Sequence, residues 1–235
     1  RIISVLISIS LLLMSVPAFA ISGLGTELDP YLISTASDIA KIHNDLAGYY
    51  KLTTNIDMSG LEFEPIGNEN EGAFTGTIDG AGYTISNLNI NLPDNKYVGF
   101  VGYLEGTIKN LDFTNVDICG YRYVGGIVGY AGDSVITECS VYGKINGAYS
   151  IINISTGGIA GYSNGIISNC QNYATLNAYS GGETSCSLGG ICGYSSSVIQ
   201  YCDNYGSIQT NSSGMRTGGI VGYSTDNIEY FNNYG

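Results

Sequence analysis

Apolar positions return in step along the second half of this 235-residue chain. Isoleucine stands at Ile108, Ile136, Ile167, Ile199 and Ile228. Three residues after each come Leu111, Cys139, Cys170, Cys202 and Phe231, and three further on Thr114, Tyr142, Tyr173, Tyr205 and Tyr234. Ile145, Leu176 and Ile208 mark a third apolar point. Ahead of each set lies Gly-Gly-Ile-x-Gly-Tyr or a near copy: Gly125 to Tyr130, Gly157 to Tyr162, Gly189 to Tyr194 and Gly218 to Tyr223. An earlier copy, Val98 to Tyr103, has Val98 in place of the first glycine. A return every ~30 residues is the mark of a stacked array, in which one winding cannot bury its apolar face alone. The runs between glycines are short and β-prone, and none carries an apolar stripe of helical spacing. The pattern predicts an all-β fold, a parallel β-helix with one winding per cycle and equivalent residues stacked about 4.8 Å apart. The isoleucines would form one interior ladder, and Leu111, Cys139, Cys170, Cys202 and Phe231 another. A propeller or sandwich is the alternative, but it needs longer strands and a longer period.

Composition agrees. Glycine supplies 34 residues and charged residues 12%, as turns and stacked neutral ladders require.

The consensus Gly-Gly-Ile-x-Gly-Tyr followed by Ile-x-x-Cys-x-Asn-Tyr-Gly resembles the GLUG repeat of secreted and surface proteins of bacteria and some archaea. The resemblance covers roughly residues 98–235, and Gly76 to Leu88 is similar to the segment that leads into such repeats. It implies a right-handed parallel β-helix of adhesin-like character, or the non-catalytic part of a large secreted peptidase. It carries over no catalytic residue.

Before the repeats the pattern changes. Residues 1–20 combine Arg1, an apolar stretch and Ala18-Phe19-Ala20, the layout of a secretory signal peptide, so the mature chain is expected to begin near Ile21. No later segment offers the ~20 apolar residues of a membrane span. Thr35 or Ser37-Asp38 can cap a short helix with Ile39, Ile42 and Leu46 on one face and Gly48 as its stop. That helix suits a cap, because an open solenoid end exposes unpaired strands. Strands are expected through residues 49–58, 73–78 and 83–90. Residues 21–97 thus read as cap and first coils, and residues 98–235 as repeats of the same β-helix. The mid-cycle stop at Gly235 implies a fragment that continues.

Charge narrows the partners. A net charge of −12 with only eight basic residues argues against nucleic acid, whose binding depends on Lys and Arg neutralising phosphates. Cys139, Cys170 and Cys202 share a position with Leu and Phe, which favours small buried hydrophobes over a disulfide framework; Cys186 and Cys192 are the alternative pair. No Cys-x-x-Cys or Cys/His pair suggests zinc, and no cofactor motif is legible. His43, the only histidine, reads as an inert surface residue. Asp57, Glu62, Glu64, Glu69, Glu71 and Asp79 form the densest charge, read as a solvated loop; Ca²⁺ binding or an acid/base pair for glycoside cleavage is the functional alternative.

Twenty tyrosines remain, many in two columns: Tyr103, Tyr130, Tyr162, Tyr194 and Tyr223, then Tyr142, Tyr173, Tyr205 and Tyr234. Exposed, they could stack on sugars or bind a protein; otherwise they cover coil corners. Asn153 and Asn211 lie in Asn-x-Ser sequons. The sequence therefore predicts a secreted or surface-displayed, non-enzymatic stalk or adhesin-like module for glycans or cell-surface proteins. A carbohydrate-active enzyme using carboxylates between Asp57 and Asp79, or the accessory region of a peptidase, are the alternatives.

Overall fold

A computed structural model describes residues 21–150, 154–180, 186–210, 212 and 214–235. The leader expected at residues 1–20 and both sequon asparagines, Asn153 and Asn211, lie outside these residues. The chain winds into a parallel β-solenoid with three strand-bearing faces. The longest column stacks Tyr31–Ile33, Tyr49–Leu52, Thr77–Asp79, Thr107–Gly120, Val135–Ser150, Ile166–Ser168, Ile199–Gln200 and Ile228–Glu229. A second column stacks Tyr97–Val98, Tyr123–Gly125, Ser155–Gly157, Cys186–Gly189 and Met215–Gly218. A third stacks Val101–Leu104, Val128–Ala131, Ala160–Ser163, Cys192–Ser195 and Val221–Ser224.

Register turns the sequence period into ladders. Ile136 pairs with Ile108 and Ile167, Ile167 with Ile199, and Ile199 with Ile228. The row starts earlier than the repeats, since Ile78 pairs with Ile108 and Tyr50 with Ile78. Every member from Tyr50 to Ile199 is buried, and Ile228 is half-buried. The parallel row Leu111, Cys139, Cys170 and Cys202 is buried too. Phe231, expected to continue it, is 48% exposed because no described winding lies beyond it. Val98 also departs from the motif alignment: it pairs with Val124, while Val101 pairs with Val128. Two residues instead of three therefore link the faces in that copy, and Val98 does not stand where the later copies place their first glycine.

The motif itself forms the corner between the second and third faces. Gly158 and Ile159 donate their amides to Gly190 and Ile191 of the next winding, so pairing continues through the bend. Ile127, Ile159, Ile191 and Ile220 point inward there and are buried. Another corner uses the left-handed region. Asn110, Glu138, Asn169, Tyr201 and Tyr230, each just before the Leu/Cys/Phe row, have φ between 51° and 54°. Asparagine tolerates this conformation best, and it holds two of the five positions.

At the N-terminal end the helix Ala36–Ala40 continues into a 3₁₀ turn, Lys41–Asn44. Thr35 is its cap: Thr35 Oγ1 accepts from Asp38 N, and the Asp38 carboxylate accepts from Thr35 N, a reciprocal capping box. Ile39 and Ile42 are buried over the first coil. Burial would raise the Asp38 pKa, but hydrogen bonds from Lys41, Thr35 and Ser34 outweigh it and bring it down to about 2. A carboxyl held below its unfolded value stabilises the fold above pH ~4, and that contribution is lost as pH falls towards 2. With Lys41 partly in solvent, the loss should be on the order of 1 kcal/mol. Asp38→Asn is expected to lower stability at pH 6 by that amount and to flatten the acid limb of a pH–denaturation series.

Candidate functional site

The two tyrosine columns run along the outside of the solenoid. Tyr142, Tyr173, Tyr205 and Tyr234 stand three residues after Cys139, Cys170, Cys202 and Phe231, one per winding. Their rings stack in parallel, with centroids 4.2, 4.7 and 4.8 Å apart and planes within 6°. Tyr142 and Tyr205 are 41% exposed and Tyr234 64%. The second column follows strand register, with Tyr130 pairing Tyr103 and Tyr162, Tyr162 pairing Tyr194, and Tyr194 pairing Tyr223. Its members are half-buried except Tyr223. A short third stack, Tyr201 on Tyr230 at 4.8 Å, was not legible as a column, because it sits on the left-handed corner.

Ring geometry decides what these columns can present. In a parallel stack each ring face lies against its neighbour, so the solvent meets ring edges and phenol hydroxyls. Stacking on a sugar needs a free face, which such a column offers only at its ends. The arrangement changes near the first repeats. Tyr103 meets Tyr130 at 88°, Tyr123 meets Tyr130 at 70° and Tyr123 meets Tyr162 at 68°. Tyr97 lies on Tyr123 at 5.6 Å, and the Arg122 guanidinium lies 4.9 Å from the Tyr123 ring centre. Tyr103 donates to Glu105 over 2.6 Å; that bond, with burial, pushes its phenol up to about 12. Beside Tyr97 opens a polar cleft of about 350 Å³ lined by Asn68, Glu69, Asn95 and Lys96.

Of the acidic cluster, Glu64 and Glu69 line this same cleft, and four carboxylates have partners of their own. Asp57 accepts from Asn87 and Ser59, Glu69 from Lys96 and Tyr97, and Asp79 from Ala81 and Asn110, with the Lys109 ammonium 3.6 Å away as an ion pair. Glu71 contacts His43 Nδ1 at 3.0 Å, so the histidine tethers the cap to the loop following the first coil. Among the described residues no three His, Cys, Asp or Glu side chains group closely enough to hold a metal ion.

No disulfide links the cysteines, the Cys186–Cys192 alternative included. Cys139, Cys170 and Cys202 donate their thiols to the carbonyls of Thr137, Ser168 and Gln200, and Cys192 to that of Tyr194. Burial raises the Cys170 and Cys192 thiols; the bond to Cys170, then burial, raises Cys202. Buried and bonded to carbonyls, these four thiols are expected to escape a maleimide at pH 7 in the native chain and to be labelled in urea. Native labelling as fast as in urea would contradict the buried row.

Two asparagines lie inside the core, although asparagine is a polar residue. Asn172 and Asn204 are fully buried. Asn172 Nδ2 donates to Asn204 Oδ1 and Asn204 Nδ2 to Asn233 Oδ1, each over 2.8 Å, forming an amide ladder along the solenoid axis. The same register position holds Ile85, Phe113 and Val141 in earlier windings. The signal was the recurring Asn-Tyr of Asn172, Asn204 and Asn233, but asparagine next to tyrosine and glycine reads as turn.

With this geometry in view, known proteins place the chain. The GLUG motif model matches residues 120–146, which covers the Tyr123–Gly125 and Val128–Ala131 strands and their corner. Halomucin of Haloquadratum walsbyi is 37% identical over 153 residues, or 59% of this chain. A protein of Evansella cellulosilytica, provisionally named a Gly-rich membrane protein, is 38% identical over 102 residues, or 39% of this chain. The match spans only 2% of the first protein and 12% of the second. A solved structure from Bacteroides ovatus, provisionally assigned as an immunoglobulin A1 protease, superposes with a TM-score of 0.64 at 22% identity. That superposition covers 91% of this chain and 80% of the other, and at such identity it speaks to fold alone. The chain is a parallel β-solenoid that carries the GLUG motif and repeats it along its windings.

Proposed function

We propose that the chain is a surface-displayed, non-enzymatic module that acts as a stalk with an adhesin-like binding face. The observation that carries this reading is the outward tyrosine column of Tyr142, Tyr173, Tyr205 and Tyr234 on a continuous core. A row of hydroxyls at winding spacing offers repeated polar contacts with adjoining aromatic area, the combination that suits recognition surfaces. Asp57, Glu69, Glu71 and Asp79 are each held by a hydrogen-bond or ion-pair partner, which favours this over glycoside cleavage, where one carboxyl must give up a proton and the other attack or activate water. The name of the Evansella relative, a Gly-rich membrane protein, fits display at a cell surface, and the leader-like residues 1–20 fit export. No helix among the described residues is long and apolar enough to cross a membrane.

The test is a glycan array and a cell-surface protein panel, run beside a polysaccharide-degradation assay. Binding without product release is expected, and Tyr142→Ala with Tyr205→Ala should weaken it roughly tenfold, as for anchor aromatics. Release of oligosaccharide would overturn the reading. The name of the Bacteroides relative favours a second one, the non-catalytic region of a secreted peptidase. Capture of immunoglobulin A1 without cleavage would support that role.

A further inference from the structure

The stacked column has a chemical consequence independent of what it binds. We infer that Tyr142, Tyr173, Tyr205 and Tyr234 form a site of oxidative cross-linking, where tyrosines of adjacent windings couple into dityrosine and staple the solenoid. Coupling needs two phenols that touch, are open to an oxidant and keep meeting in one orientation. The column meets them most fully at Tyr205 and Tyr234 and less fully at Tyr173, which is half-buried. Its rings lie 4.2 to 4.8 Å apart and within 6° of parallel. Tyr142, Tyr205 and Tyr234 are exposed. Parallel register also sets equivalent side chains over one another: Cys139 and Cys170 precede Tyr142 and Tyr173 by the same three residues, and Gln171 and Asn172 pair with Asp203 and Asn204 just before Tyr173 and Tyr205.

The oxidant is a one-electron phenol oxidant supplied with hydrogen peroxide, such as a haem peroxidase. Each phenol loses one electron and its hydroxyl proton to give a phenoxyl radical. Two radicals on neighbouring windings form a carbon–carbon bond between positions ortho to oxygen, and the ortho hydrogens return to the oxygens by tautomerisation. Two phenols and one peroxide thus yield one dityrosine and two waters. A ring used once is removed from its neighbours, so four rungs give at most two links. These are Tyr142–Tyr173 with Tyr205–Tyr234, or Tyr173–Tyr205 alone.

The other column is the internal comparison. Tyr130 and Tyr162 stack at 4.7 Å, but both are half-buried, whereas every pair of the outer column has at least one exposed phenol, and the Tyr162 hydroxyl lies 3.2 Å from Ser196 Oγ. Slower coupling is expected there.

The experiment treats the full chain, at a dilution that keeps it monomeric, with horseradish peroxidase and hydrogen peroxide, in buffer and in urea. Dityrosine fluorescence, gel mobility and cross-linked peptides are read together. The expected product is a monomer that has lost two hydrogens per link, with Tyr205 joined to Tyr234 and Tyr142 to Tyr173, with the exposed Tyr201–Tyr230 stack coupled by the same rule, and with a raised unfolding midpoint. Urea should lower the intrachain yield severalfold. Tyr173→Phe keeps the stack and should leave only the Tyr205–Tyr234 link in this column. Adding Tyr205→Phe should abolish links in this column, because Tyr142 and Tyr234 then have no phenol neighbour. Equal intrachain yield in urea, links confined to pairs of chains, or links that persist on this column in the double variant would overturn the inference.

Discussion

Gly190→Ala is expected to unfold the windings on either side of it, at a cost of at least about 3 kcal/mol. A methyl group there would lie 2.0 Å from the Gly219 carbonyl oxygen and 2.4 Å from Asn204 Cγ. Neither can yield. The carbonyl belongs to the corner of the next winding, and the Asn204 amide is held by four hydrogen bonds. Overpacking in an ordinary core costs about 1–3 kcal/mol because side chains shift; here the obstacle includes backbone that is itself paired. Such a loss is a large part of a typical domain's total stability of ~5–15 kcal/mol. Urea unfolding followed by circular dichroism checks it. Gly132→Ala is the control: its methyl would meet the flexible Glu105 side chain at 3.0 Å and should change stability by less than about 0.5 kcal/mol. Equal effects at the two positions would mean that the motif glycines are not packing constraints.

Asn204→Ala is expected to cost about 3 kcal/mol or more, although it removes a polar group from a buried position. Asn204 accepts from Asn172 Nδ2 and from Gly206 N, and it donates to the Gly206 carbonyl and to Asn233 Oδ1. Truncation leaves the buried Asn172 amide and the Gly206 backbone short of partners, and each orphaned group costs about 1–3 kcal/mol. The loss should exceed that of Asn233→Ala, since Asn233 is exposed and borders a single described rung. Asn204→Asp separates shape from donor capacity. The carboxylate can still accept from Asn172 but cannot donate to Asn233. Burial raises its folded pKa above the unfolded one, so the variant should be less impaired at pH 4 than at pH 7. A pH-independent deficit would mean that the amide's hydrogen bonds are not what stabilises the ladder.

The period of the apolar residues was enough to name the fold. Ile108 to Ile199 and Leu111 to Cys202 are buried rows, because any chain that stacks equivalent residues one strand apart must put the same face inward each time. The cap was legible as well, since Thr35 and Asp38 carry the capping box within four residues. The tyrosine columns were legible as columns. Their orientation was not, because tyrosine has both an apolar ring and a polar tip and suits a coil corner inside or out.

What the sequence by itself determined is therefore the architecture: a solenoid, its rows and the glycines at its corners, all consequences of one repeated pattern. Tertiary structure alone decided three things. It placed Asn172 and Asn204 inside, since only a stacked amide above and below can satisfy a side chain that polarity would otherwise send to solvent. It gave Asp57, Glu69, Glu71 and Asp79 the partners Asn87, Lys96, His43 and Asn110, because each of these stands about one winding away along the chain and is brought alongside only by coiling. And it set the tyrosine rings face to face, because the rise between windings is close to the contact distance of stacked rings.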